Sequence, residues 1–183
     1  MFIQTEQTPN PATLKFIPGE MVLEKGTMFF ENKDAADVSP LAQALFDIDG
    51  VCAVFLGSDF ITVENGDKDW DELKPAILGT IMEHYTAGLP VVTGDMPDDA
   101  GADDDTDPEI VAQINELLDT RVRPAVARDG GDITYHGFKD GIVYLKMKGA
   151  CAGCPSSTAT LKFGIQNLLK HYIPEVESVE AVE

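Results

Sequence analysis

The sequence predicts an α+β fold: two small α/β-sandwich-type domains joined by an acidic flexible linker. Three observations carry that prediction. Residues 1–90 alternate short strand runs and a hairpin with two amphipathic helical runs. Residues 91–107 then change composition abruptly, to a stretch dominated by aspartate that cannot fill a core. Residues 108–183 resume apolar patterning in the order α-β-β-α-β, with a Cys-x-x-Cys loop between a strand and a helix. A chain of 183 residues has room for a core in each of two such domains.

In the first domain, Thr13–Ile17 reads as a strand entered from the Pro9-Asn10-Pro11 turn and stopped by Pro18-Gly19. A second extended stretch covers Met28–Glu31. Ser39-Pro40 gives a cap followed by a first-turn proline, so a helix starts there and runs to about Asp47, with Leu41, Ala44 and Leu45 inward. Asp49-Gly50 turns the chain into Val51–Leu56, and Gly57-Ser58 returns it through Phe60–Val63 as a hairpin. Cys52 alternates with Val54 and Leu56 and is expected to be a buried apolar filler. The last helix covers about Asp69–Thr86, with Trp70, Leu73, Ile77, Ile81 and Tyr85 on one stripe, and ends at Gly88. His84 flanks that stripe.

The second domain starts where Asp107-Pro108 repeats the cap-and-proline signal. Its stripe is Ile110, Ile114, Leu117, Leu118 and Val122, and Pro124 breaks or kinks the helix beside Arg121, Arg123 and Arg128. Asp129-Gly130-Gly131-Asp132 leads into a strand, Ile133–Phe138, and the two aspartates read as turn and cap residues. Asp140-Gly141 turns into a returning strand with Val143, Leu145 and Met147 on one face and Ile142, Tyr144 and Lys146 on the other. This strand delivers the chain into Gly149-Ala-Cys151-Ala-Gly-Cys154-Pro155. A helix follows from about Ser156 to His171, with Leu161, Ile165, Leu168, Leu169 and Tyr172 on one side, and residues 176–182 form a closing strand.

Composition narrows the function classes. The formal charge is 13 − 32 = −19, which disfavours nucleic acid or an anionic membrane as a bulk electrostatic partner. No apolar run reaches the roughly 20 residues of a membrane helix. Three cysteines with one close pair do not make a disulfide framework and point to a reducing compartment. The first residues carry neither a basic, apolar secretory pattern nor an Arg-rich one, so the expected location is cytoplasmic.

The candidate metal-ligating and cofactor-binding residues are Cys151 and Cys154. Gly149 and Gly153 let the backbone turn tightly enough to aim both sulfurs at one place. Pro155 suits the first position of a helix, so Cys154 or Ser156 caps it, close to unpaired N–H groups that favour thiolate. Two sulfurs fall short of the four ligands that structural zinc and iron–sulfur sites take. Cys52 is far upstream, and His84, His136 and His171 are not at ligand spacing from the pair. Two copies meeting at a two-fold axis would supply four thiolates, and a cargo held by two ligands per chain would be releasable.

The surroundings agree with an anionic cargo. Gly141 to Pro174 contains no Asp or Glu, yet carries Lys146, Lys148, Lys162 and Lys170. Lys148 and Lys162 are near the loop in sequence; Lys170 reads as an ordinary solvated position. Phe163 projects off the apolar stripe, available to a second subunit or as a shield for a cluster. On spacing alone, a zinc site shared by two chains and a thiol–disulfide oxidoreductase remain open alternatives. Against the second, a hairpin rather than a parallel βαβ unit precedes Cys151.

Arg123-Pro124, Asp129-Gly-Gly-Asp132, Gly149-Ala-Cys-Ala-Gly-Cys-Pro-Ser-Ser157, Thr160-Leu-Lys162, Gly164-Ile165 and Pro174-Glu-Val176 resemble the C-terminal domain of NifU and its Nfu-type relatives. Thr8-Pro-Asn-Pro11, Leu14-Lys-Phe16 and Pro18-Gly19 resemble the domain that precedes it in Nfu proteins. Gln166 stands where that family more often has Glu. The resemblance implies an iron–sulfur cluster scaffold or carrier without substrate turnover, a homodimer on cluster binding. Cys151 and Cys154 of two subunits would hold a [4Fe–4S] cluster, or a [2Fe–2S] form, and pass it to apo iron–sulfur client proteins. Upstream cluster-assembly proteins would be further partners. It divides the chain into an Nfu-type domain over 1–90, a linker over 91–107 and the cluster-binding domain over 108–183.

Overall fold

The computed structural model describes residues 1–94, 107–152 and 155–182, the side chains of 155–157 excepted. The chain divides into two compact units, Met1–Pro97 and Asp98–Glu183. The acidic run expected to be a flexible linker falls, over 95–106, outside the described residues.

In the first unit, β1 (Gln4–Gln7), β2 (Thr13–Ile17), β3 (Met28–Phe30), β4 (Val51–Leu56) and β5 (Ile61–Asn65) form one antiparallel sheet in the order β1-β2-β5-β4-β3. Two helices, α1 (Pro40–Phe46) and α2 (Trp70–Thr86), accompany it. Ser39 caps α1 as its sequence predicts, its hydroxyl accepting the Ala42 N–H at 3.1 Å. The core joins Leu14 and Phe16 of β2, Val54 and Leu56 of β4, Ile61 and Val63 of β5, and Leu41, Leu45, Leu73, Ile77 and Ile81 of the helices. Strand β1 has the polar sequence Gln-Thr-Glu-Gln, so no apolar alternation announces it; its pairing with β2 alone makes it a strand.

Cys52 departs from expectation. Val51 pairs with Asn65 and Ala53 with Glu64, which leaves Cys52 as the extra residue of a bulge. The bulge resets the strand's alternation, and Cys52 is exposed while Ala53 to Leu56 are all buried. The expectation of a buried filler assumed an unbroken two-residue period.

The second unit runs α3 (Pro108–Leu117), a π turn (Leu118–Val122), α4 (Arg123–Arg128), β6 (Gly131–Lys139), β7 (Ile142–Gly149), α5 (Pro155–Tyr172) and β8 (Ser178–Val182). Pro124 cannot donate to the helical ladder, and the π turn is the wider turn immediately before it. Ile114, Leu118, Val122 and Val126 stay buried across this break, so the apolar face is continuous. Strands β6 and β7 form an antiparallel hairpin through Asp140 (φ 52°) and Gly141 (φ 77°), the two left-handed residues that an Asp-Gly turn supplies. Strand β8 pairs with β7 in parallel, giving a sheet of order β6-β7-β8.

Helix α5 keeps Ile165 and Leu169 buried, with Leu161 and Leu168 packed partly against the same core. Tyr172, expected on that stripe, is 47% exposed, and Ile173 takes the buried place just past the helix end. Two contacts tie α5 to β8: Lys162 Nζ lies 2.7 Å from Glu180 Oε2, and Gln166 Oε1 accepts the Val179 N–H at 3.3 Å. Both glutamine and glutamate have an oxygen for the second contact.

Candidate metal centre

Strand β7 hands the chain to the cysteine loop through Gly149, whose φ of 65° places it in the left-handed region. Gly149 pairs with Gly131 at the start of β6. Two further bonds fix the loop's first half: Ala150 N–H donates to Gly130 O at 3.2 Å, and Ala152 N–H to Gly149 O at 3.0 Å. The Thr158 hydroxyl reaches Cys151 O at 3.5 Å, linking the loop to the first turns of α5.

Cys151 is 5% exposed and belongs to the apolar cluster of its unit. Gly131 forms the surface against which its sulfur rests. A Cβ at Gly131 would stand 2.5 Å from Cys151 Sγ, and 2.9 Å from both Cys151 N and Lys148 O. No larger residue fits there without displacing backbone as well as sulfur. Gly153 and Cys154 lie outside the described residues; Ser156, the other residue expected to cap α5, is inside that helix, which begins at Pro155.

An ion pair underlies this cradle. Asp132, 2% exposed, accepts from Arg123 through two parallel bonds, Nε to Oδ1 and Nη2 to Oδ2, each 2.9 Å. Arg123 Nη1 also reaches Asp119 Oδ1 at 2.8 Å, and Asp132 Oδ1 accepts the Ile133 N–H at 2.8 Å. Hydrogen bonding to Asp132 holds the guanidinium protonated even more firmly than usual. Asp132 is thus a buried ion-pair partner as well as the strand-opening residue that its sequence context suggests. Arg123 is placed for the bond because it opens α4 directly after the π turn.

The other sequence candidates separate. Lys148 is 8% exposed and stands opposite Asp132 in the β6–β7 register, adjacent to the loop. Lys162 is paired with Glu180, which compensates its charge. Lys170 is exposed, as expected for a solvated position, and Phe163 is 63% exposed. His136 is exposed at a second bulge, between Tyr135 and Gly137, and His171 is exposed with its ring against Tyr172. His84 is buried in the first unit with Nε2 3.0 Å from Pro90 O. Cys52 is in that same unit.

Among the described residues, no group of three or more His, Cys, Asp or Glu side chains could hold a metal ion. The donor chemistry of the loop, a thiol in an acid-free segment, fits a soft, anionic iron–sulfur cargo. Sequence reading missed the cradle at Gly131 and the Arg123–Asp132 pair. Their one sequence signal is a Gly-Gly step followed by an acid, with an arginine nine positions earlier, and neither periodicity nor ligand spacing marks it.

Comparison with known proteins places both units. Residues 3–88 match the family model described as "Scaffold protein Nfu/NifU N terminal", and residues 114–180 match "NifU-like domain". The whole chain is 59% identical to the human "NFU1 iron-sulfur cluster scaffold homolog, mitochondrial", covering 72% of that protein. It is 52% identical to the protein of the same name from Drosophila virilis, covering 62% of it. Over 98% of its length it is 52% identical to "NifU-like protein 4, mitochondrial" of Arabidopsis thaliana, covering 65% of that chain. The chain therefore spans somewhat less than two thirds of the latter two relatives.

These relatives overturn the cytoplasmic expectation, since all three are named as mitochondrial. That expectation rested on the character of the first few residues and on the reducing compartment that the cysteines suggest.

Proposed function

Because this chain belongs to the Nfu/NifU family of iron–sulfur cluster scaffold proteins, we propose that two copies share one [4Fe–4S] cluster between Cys151 and Cys154 of each. They then pass it to apo-proteins. The observation that carries this reading is a ligand shortage: the unit containing the loop has two cysteines, and four thiolates are needed to close a cluster. The acid-free run from Gly141 to Pro174 supports it by lowering the cost of anionic cargo beside the loop. Residues 108–183 act as the cluster-binding domain, 1–90 as the Nfu-type domain and 91–107 as the acidic linker, whose Val91 and Val92 pack against the core of the first unit.

Transfer proceeds by ligand exchange and needs no redox step. A client thiolate bonds to a cluster iron as one iron–sulfur bond to Cys151 or Cys154 breaks. The proton lost by the client thiol is taken by the released cysteine. Repetition at the remaining sites moves the cluster, and the chain performs no substrate turnover.

Anaerobic reconstitution tests the reading through iron content, a Mössbauer spectrum and molar mass by light scattering. About two irons per chain are expected, in a dimer that dissociates when the cluster is removed. A monomer holding a complete cluster would overturn the proposal. So would an iron-free dimer whose two loop sulfurs cycle between dithiol and disulfide.

A further inference from the structure

We propose that Arg123 and Asp132 are positioning residues for Cys151: their paired bonds hold the Gly130–Gly131 cradle in place, and so set how long the loop retains its cargo. This rests on the scaffold reading, and it adds two residues that are not cluster ligands.

The mechanical chain is short. Arg123 holds the Asp132 carboxylate by two bonds of 2.9 Å. Asp132 is covalently next to Gly131, whose missing side chain is the space that Cys151 Sγ occupies. Gly130, one residue further back, accepts the Ala150 N–H beside Cys151. A shift of the Asp132 backbone therefore moves both surfaces that confine Cys151.

Stability alone does not account for such a pair. Replacing a buried ion pair with apolar residues of similar size is often neutral or favourable, because two charges no longer need to be desolvated. A bidentate guanidinium–carboxylate contact does provide direction: two parallel bonds fix both distance and angle, as a point charge does not. A positional role also accounts for the residue type. Lysine would preserve the charge and lose the fork.

Three variants test this: Arg123→Lys, Asp132→Asn, and the double variant Arg123→Leu/Asp132→Leu. Each is compared with wild type as full-length protein, by urea unfolding, by the cobalt(II) thiolate charge-transfer spectrum, and by the visible circular dichroism and chelator-driven loss of a reconstituted cluster. The expected result is that Arg123→Lys and the double variant lower the urea midpoint only modestly, through the lost bonds to Asp119 and, in the double variant, to the Ile133 N–H. Both have altered cobalt and dichroism spectra and lose the cluster at least about tenfold faster. Asp132→Asn should fall between them and wild type, because its amide oxygen still accepts one bond.

Wild-type spectra and lifetimes in the double variant would overturn the proposal. So would faster loss that only tracks a lowered urea midpoint, because that is the mark of a purely structural pair. Should a single variant fail to fold, the double variant still decides, having no unpaired buried charge. A wild-type chain that takes up no iron would count against the scaffold reading instead, and the cobalt spectra would still decide the positioning role.

Discussion

The two units offer a natural comparison, because each rests a cysteine sulfur against a glycine. In the first, a Cβ at Gly66 would meet Cys52 Sγ at 2.7 Å; in the second, a Cβ at Gly131 would meet Cys151 Sγ at 2.5 Å. The resemblance ends there. Cys52 is an exposed bulge residue whose one contact of note is its sulfur 3.9 Å from Gly50 O. Cys151 is buried, its glycine also approaches backbone atoms, and a charged pair anchors the neighbouring residue. A sulfur beside a glycine is therefore not in itself a site. A second thiol in the loop, a glycine that also approaches backbone atoms, and a sequence segment free of acids around the loop make the difference.

The largest test of that difference is to remove sulfurs one at a time. Cys151→Ser and Cys154→Ser are each expected to lower reconstituted iron at least about tenfold, while Cys52→Ser leaves it unchanged. Iron lost with Cys52 would break the comparison.

The two glycines should differ next. Gly131→Ala forces its Cβ into Cys151 and the Lys148 carbonyl, and should cost about 1–3 kcal/mol of stability in chemical denaturation. Gly66→Ala meets only the end of an exposed side chain that can turn away, so a loss below about 1 kcal/mol is expected. Equal losses would mean that the second cradle is no stiffer than the first.

Alkylation of the metal-free protein provides a smaller effect. Iodoacetamide should label Cys52 about tenfold faster than Cys151, because only the former is open to solvent. Peptide mass mapping at short times reads the ratio directly.

The smallest expected effect is on pH dependence. Burial depresses the pKa of His84 below the usual histidine value, despite its bond to Pro90 O. The unfolded chain therefore binds the proton more readily, and stability from neutral His84 is complete above about pH 6.5 and declines as pH falls towards the folded pKa. The first unit should lose stability over that interval and the second should not do so through this residue. His84→Gln should flatten the profile, as read by urea midpoints between pH 7.5 and pH 5.

Much of this arrangement was legible because local rules operate without competition. Ser39-Pro40 and Asp107-Pro108 begin helices where their cap chemistry says they should, and the Asp107 carboxylate accepts the Glu109 N–H at 3.0 Å. Asp140-Gly141 forms the hairpin turn that its left-handed preference demands. Features set by pairing between distant segments were not legible. Strand β1 has no apolar alternation and exists through β2, and the bulge at Cys52 appears only once β4 and β5 are placed side by side. The Arg123–Asp132 pair depends on a π turn that directs α4, and no periodicity in the sequence encodes that direction.

Exposure of Cys52 has a practical consequence for the study of this protein. In air and without reductant, the Cys52 sulfurs of two chains can join covalently, giving a particle of twice the mass that holds no inorganic sulfide. A doubled mass in an oxidised preparation thus has an origin unrelated to cargo. Work on assembly is best begun from a Cys52→Ser background, in which any remaining association must come from elsewhere on the chain.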